Sequence, residues 1–227
     1  FDVVDGAAVH IDPIAGMFNP MAFQQTLHMT LAAYAATGMA VAGIHAFLLL
    51  FEGQNAFHRR ALSVALLVGA PASLLQPISG HHSAQVVAEN QPAKLAAMEA
   101  HFETGQRAPI LLGGWPDMKA RTTRYAIPIP GGLSFLAFND PDAEVQGLDR
   151  FPRKDWPHVP TVHIAFQLMV AFGTYMALVA LWGVWLALRR EDHGSRRWFL
   201  RALVLAAPMG FVAIEAGWTV TEVGRQP

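Results

Sequence analysis

"FNPMAFQQTLHMTLAAYAATGMAVAGIHAFLLLF", residues 18–51, contains no Asp, Glu, Lys or Arg, and the uncharged run reaches back to Pro13. A helix needs about 20 mostly apolar residues to cross a hydrocarbon core of about 30 Å, so this stretch is long enough to span a bilayer. Early in it sits an imidazole, His28, among apolar and small polar neighbours. Ionisable groups at such depth are costly and mark a partner, an ion or a cofactor. The rest of the chain agrees with a membrane reading. Of its 227 residues 53% are hydrophobic and only 15% charged, against about 25% charged in ordinary globular domains.

The net charge of -1 gives no reason to expect a nucleic-acid partner. The absence of cysteine excludes disulfides, thiolate zinc sites and iron–sulfur clusters. Any metal must therefore be held by His, Met or carboxylate, and the chain has ten histidines and nine methionines. It starts at Phe1 without a signal-peptide pattern and stops at "GRQP" directly after an apolar segment, so both ends read as cut from a longer protein.

Four apolar segments are expected to cross the membrane: 22–51, 61–79, 161–188 and 198–221. In the second, Pro71 and Pro77 read as a kink and a stop. Residues 1–21 form a loop segment before the first span, 80–160 a long loop between the second and third, and 222–227 the end after the fourth. The short connections "EGQNAFHRR" (52–60) and "RREDHGSRR" (189–197) concentrate arginine, which places them in the cytoplasm and the long loop, with both chain ends, outside.

Within that loop "ENQPAKLAAMEAHFETG" (89–105) reads as a short amphipathic surface helix: Asn90 or Gln91 caps, Pro92 suits the first turn and Gly105 the stop. Leu95, Met98 and Phe102 make its apolar stripe. Lys94 and Glu99 supply a cation and a base, the groups needed to take protons from a quinol, although a solvated pair on a surface helix has the same spelling.

Depth selects further candidates. At 1.5 Å per residue, His28 and Met169 lie about 9 and 12 Å below the outer edge, so an imidazole and a thioether share a level, as in a six-coordinate haem. A histidine bonded to a neighbouring helix and a methionine filling the core would look the same. His45 and His163 are alternative ligands. Glu215 is an acidic group within the fourth span, Glu222 closes it, and Arg225 follows within one turn, able to pair with Glu222 or with an anionic cofactor group.

Together "FNPMAFQQTLHMT", "ENQPAKLAAMEAHFET", "VHIAFQLMVAFG" and "EAGWTVTEVGRQP", spread along almost the whole chain, resemble subunit I of the cytochrome bd family of bacterial terminal quinol oxidases. The resemblance implies an all-α membrane protein whose four spans belong to a bundle of about nine helices, with the long loop as the periplasmic quinol-binding loop. It implies low-spin haem b held by His28 and Met169, high-spin haem b held by Glu222 with Trp218 and Arg225 nearby, and haem d whose ligand lies outside this stretch. It assigns quinol oxidation to Lys94 and Glu99, and makes subunit II, quinol, O2 and the lipid of the bacterial cytoplasmic membrane the partners. The reaction implied is quinol:oxygen oxidoreduction, electrogenic without pumping, and this stretch alone should not reduce oxygen. A departure is Gln167, where many members carry arginine two residues before the methionine. The expectation there is an altered haem potential. The rival readings are a membrane cytochrome b that only relays electrons and a haem-free transporter with Glu215 lining a polar path.

Overall fold

The computed structural model describes residues 2–4, 6–53 and 55–225. A small hairpin, β1 (Asp2–Val4) with β2 (Ala7–Val9), leads to the short α1 (Pro13–Met17), whose first amides are capped by the Asp12 carboxylate. Then α2 (Ala22–Phe51) and α3 (Ala56–Asn90) form a long antiparallel pair, the second capped where Asn55 accepts the Phe57 amide at 2.8 Å. Helix α4 (Pro92–Met98) follows at once.

The rest of the loop is irregular chain pinned by short ladders. Its pieces are β3 (Gly105–Gln106), β4 (Ile110–Leu112), β5 (Trp115–Asp117), β6 (Thr122–Arg124), β7 (Ile127–Ile129), α5 (Gly132–Phe138) and β8 (Glu144–Val145). All pairs are antiparallel: β3 with β8, β4 with β7 in the register Ile110↔Ile129, and β5 with β6. Helix α6 (Val159–Leu188) returns through the bundle, and α7 (Arg197–Ala206) with α8 (Met209–Val223) makes the last crossing, broken at Pro208, which has no N–H to continue the ladder.

Four helical segments are long and apolar enough to cross a membrane: Ala22–Phe51, Ala56–Asn90, Val159–Leu188 and Arg197–Val223. The fold is thus the expected mostly helical membrane bundle, with the long loop between its second and third crossings. Arg201, in the last crossing, is exposed and stacks on Trp198 at 4.7 Å, the geometry by which a long cation escapes the apolar layer.

Three local expectations change. Helix α3 runs through Pro71 and Pro77 and beyond 79 to Asn90, so neither proline stops it. Packed helices tolerate proline because neighbouring groups satisfy the freed backbone. Helix α4 ends at Met98 instead of near Gly105: Ala100 adopts φ 48°, and the His101 and Ala100 amides bond back to Ala96 and Ala97 at 2.8 and 3.3 Å. This is the doubled-back closure that usually employs glycine. Nor is α4 a surface helix, because every residue from Ala93 to Met98 is buried.

Small residues bring the spans together. A Cβ on Gly38 would run into the backbone of Gly69, one on Gly210 would sit 2.5 Å from the Cα of Ala36, and one on Gly43 would sit 2.6 Å from the Leu203 carbonyl. Around these contacts Met39, Ala42, Leu62, Phe199 and Leu203 form the core of the bundle. Without a water-driven force between helices in lipid, such close backbone approach supplies the packing energy. A second core joins α4 to α6 and α8 through Ala96, Ala97, Val162, Ala165, Ala216 and Val220. That core seats the loop on the bundle.

Candidate functional site

His28 lies half-buried on the seam between α2 and α3. Its Nδ1 is 3.1 Å from Ser79 Oγ, and its Nε2 is 3.0 Å from Gln76 Nε2, which can only donate. With the Gln76 amide donating, Nε2 is the accepting nitrogen and Nδ1 carries its proton toward Ser79, so the lone pair that would serve a metal is here taken by the Gln76 amide. Gln24, buried on α2, donates to the Ser79 carbonyl and to Ser83 Oγ, both at 2.6 Å, which locks the seam around the ring. Three buried polar atoms on this seam, Gln24 Oε1, Ser73 Oγ and Gln76 Oε1, have no hydrogen-bond partner.

Met169 is half-buried on α6 and faces α8, where a Cβ on Gly217 would lie 3.0 Å from its sulfur. Gly217 is six residues before the end of α8, about 9 Å by helical rise, which matches the depth of His28 below the start of α2. Helices α2 and α6 stand across the bundle from one another, with α3 and α8 packed between them. One turn beyond Met169, a Cβ on Gly173 would meet nothing within 4 Å.

This donor set suits a haem. Among the described residues no three His, Cys, Asp or Glu side chains converge on a metal ion, but a six-coordinate haem needs only two axial groups, one from each side. His28 on α2 and Met169 on α6 are of the types that requirement calls for and lie at a similar depth, the imidazole on the α2–α3 seam and the sulfur against α8.

The other histidines are engaged differently. His45 Nδ1 is 3.0 Å from His58 Nδ1 at the end remote from the loop, about 25 Å along α2 from His28. His163, fully buried, bonds the Met98 carbonyl through Nδ1 at 2.8 Å, with Nε2 3.3 Å from the Gly113 carbonyl. Gln167 spends both ends of its amide on the loop, donating to the Leu111 carbonyl at 2.8 Å and accepting the Gly113 amide at 3.1 Å.

Lys94 and Glu99 are buried, at 7% and 2% exposure, because α4 is sealed between α6, α8 and α3. Glu99 Oε2 has no hydrogen-bond partner, and burial pushes the carboxyl up to about 8. Lys94 packs against Gly224, where a Cβ would lie 3.3 Å from its Cε. Burial, and then Arg225, draw the ammonium below its ordinary value, while Glu222 opposes them. So the structure joins Lys94 to the end of α8, a contact between residues far apart in sequence, and no ion pair links it to Glu99 among the described residues.

On α8 itself Glu215, Trp218 and Glu222 share an exposed face. Trp218 Nε1 donates to Glu222 Oε1 at 3.4 Å, and Arg225 Nη2 is 3.4 Å from Glu222 Oε2. Gln226 and Pro227, the end of the "GRQP" motif, lie outside the described residues.

Sequence reasoning missed the clasp of His163 and Gln167 on the loop, and the glutamines and serines around His28. The visible signal was the presence of Gln24, Gln76 and Gln167 in otherwise apolar helices. His101, whose Nε2 is buried without a partner, gave no such signal.

Residues 1–227 match the cytochrome bd terminal oxidase subunit I family. The chain is 38% identical to a putative cytochrome bd menaquinol oxidase subunit I of Bacillus subtilis, over all of this chain and 52% of that protein. It is 32% identical to the cytochrome bd ubiquinol oxidase subunit 1 of the same organism, over all of this chain and 50% of the relative. The bd oxidase structure from Geobacillus thermodenitrificans superposes with a TM-score of 0.87 at 37% identity, over 96% of this chain and 50% of that one. The chain thus spans about half the length of the relatives it matches.

Proposed function

The chain belongs to the cytochrome bd terminal oxidase subunit I family, and on that premise we propose that it forms the quinol-oxidising, haem-bearing part of a bd-type oxidase in a bacterial cytoplasmic membrane. The observation that carries the reading is Glu99: a carboxyl sealed in the loop core with one oxygen unpartnered, which burial pushes up to about 8. A surface carboxylate would be solvated and ionised. This one suits a group that exchanges protons with a bound quinol.

Oxidation of a quinol releases two protons and two electrons. Glu99 takes a proton from the quinol hydroxyl, and Lys94, buried on the same helix against the end of α8, is the cation assigned to the quinol site. His28 and Met169 would hold low-spin haem b, and Glu222, with Trp218 and Arg225 beside it, would hold high-spin haem b. The haem d ligand lies outside this stretch. When bound, the haems supply the one-electron chemistry that takes electrons from quinol, ubiquinol or menaquinol, to O2. The protein's own share is to orient His28 between Ser79 and Gln76, to carry the Met169 sulfur on α6 at a similar depth, and to keep the base out of bulk water.

The arginines of the two short connections, with Arg59 paired to Asp192 and Arg196 to Glu191, support a cytoplasmic placement of that end and a periplasmic loop. Quinol protons then leave outside while those for water come from inside, so the reaction is electrogenic without a pump. Subunit II is the expected partner.

The test is a reduced-minus-oxidised spectrum of the complete oxidase carrying His28→Ala or Met169→Ala. Each removes the low-spin haem b signal and leaves haem d. An unchanged spectrum in both variants refutes the ligand pair.

A further inference from the structure

Two polar side chains of α6 have no part in the chemistry above. His163 and Gln167 are one helical turn apart, and both turn their polar atoms toward the loop. Gln167 meets the chain at Leu111 and Gly113 as a neighbouring strand would: its Nε2 donates to the Leu111 carbonyl at 2.8 Å, and its Oε1 accepts the Gly113 amide at 3.1 Å. A carbonyl and an amide two residues apart face the same side of an extended chain, so a single primary amide satisfies both. His163 sits above it, fully buried, with Nδ1 donating to the Met98 carbonyl at 2.8 Å and Nε2 3.3 Å from the Gly113 carbonyl.

What these bonds hold is specific. Met98 is the last residue of α4, its carbonyl is among those a helix end leaves open, and Glu99 follows it directly. The segment around Gly113 is a tight turn of fixed shape: Gly113 and Gly114 have φ of 68° and 98°, and a Cβ on Gly114 would lie 2.7 Å from Thr123 Cγ2. Both anchors belong to the helix that carries Met169, two residues beyond Gln167.

We propose that His163 and Gln167 are positioning residues that clamp the Glu99 end of α4 and the 111–114 turn to α6, fixing the height of the carboxyl above Met169. The inference rests on the quinol-oxidation reading given above. One helix then sets the distance between the group that receives the proton and the sulfur that serves the electron acceptor. Gln167, committed to the loop backbone, is not available to a haem propionate.

The experiment uses the complete oxidase carrying Gln167→Leu, His163→Leu or His163→Asn, the last keeping an N–H near the position of Nδ1. Haem spectra, kcat and KM for quinol, and oxygen uptake from a small artificial reductant that bypasses the quinol site are measured on each. Both leucine variants are expected to keep the low-spin haem spectrum and the artificial-donor rate. Their kcat with quinol falls about tenfold, equivalent to about 1.4 kcal/mol in the barrier, and His163→Asn recovers most of the loss. Quinol kinetics within about twofold of the parent in both leucine variants overturn the clamp, and so does failure of His163→Asn to recover. Loss of low-spin haem in either leucine variant overturns it too, because the residue then serves assembly or iron instead of position. The two readings fail separately: normal turnover in Glu99→Gln removes the quinol assignment, whereas a slow Glu99→Gln beside normal leucine variants removes only the clamp.

Discussion

Glu99 makes a quantitative demand on the pH dependence of turnover. Its carboxyl is 2% exposed and lacks a partner for one oxygen, and burial raises it to about 8. At pH 7 about one molecule in ten then carries the carboxylate, and each further unit below 8 costs about another factor of ten. If that carboxylate is the base, quinol oxidation should rise about tenfold per pH unit toward pH 8 and level off above it. Glu99→Gln keeps the shape and removes the base. The rate should fall about a hundredfold, the low end for loss of a general base, and the slope should vanish. Stability provides an independent check. The native carboxyl keeps its proton to higher pH than the unfolded one, whose ordinary value is 4.5. The unfolded chain therefore releases a proton the native state retains, so stability declines as pH rises from 4.5 to about 8 and is flat beyond. Thermal unfolding across that window should show the decline in the parent and not in Glu99→Gln. Oxygen uptake with saturating quinol decides the catalytic point: a flat profile below pH 8, or the same slope in the glutamine variant, refutes the assignment.

Ser79→Ala removes the hydroxyl that His28 Nδ1 meets and that orients the ring. It should weaken retention of low-spin haem about 10- to 100-fold, read by haem loss during purification, as for other groups that orient a metal ligand. Gly217→Ala places a methyl 3.0 Å from the Met169 sulfur. The flexible thioether must give way, so the midpoint potential of the low-spin haem should shift while haem d is unaffected, and an unmoved potential counts against Met169 as a ligand. Gly38→Ala drives a Cβ into the backbone of Gly69, where no rotamer can relieve it. The overpacking should cost about 1–3 kcal/mol or more, seen as a lowered unfolding temperature of the complex.

The membrane architecture was legible because it depends on a sum. A stretch such as 22–51, without charge and long enough to cross, leaves the chain few alternatives. Boundaries set by a few backbone groups were less so. Pro71 and Pro77 read as punctuation, yet α3 continues through both, since proline's cost depends on neighbours that a local reading does not see. The end of α4 was sought at Gly105, but Ala100 takes the left-handed turn that rules of composition reserve for glycine. The candidate residues were visible by type and depth, whereas their environments were not. Lys94 and Glu99 spell a solvated surface pair, and it is the packing of α4 against α3, α6 and α8 that buries them. His28 was visible as an oddity, but the groups that orient its ring, Ser79 and Gln76, are contributed by another helix.

On the proposed quinol-oxidation reading, the placement of α4 also bears on how the two products part. Protons must reach water while electrons must not, and both originate on the same ring. Glu99 lies where the chain leaves α4 through Ala100, and within a few residues it reaches the exposed Asp149 carboxylate, which accepts from Thr104 Oγ1 at 2.7 Å. Beneath it, α6 and α8 descend into the apolar bundle with Met169 against Gly217. Charge transfer toward the first side is favoured by solvent. The second is a low-dielectric path in which an isolated proton would carry a large Born cost, whereas on the proposed assignment an electron would be taken up by the haem that His28 and Met169 would hold. The direction of each product therefore follows from what lies on either side of one buried carboxyl. It explains why the base belongs at the junction of loop and bundle instead of out in the loop, where a solvated glutamate would release its proton equally well but could not exclude water from the electron's route.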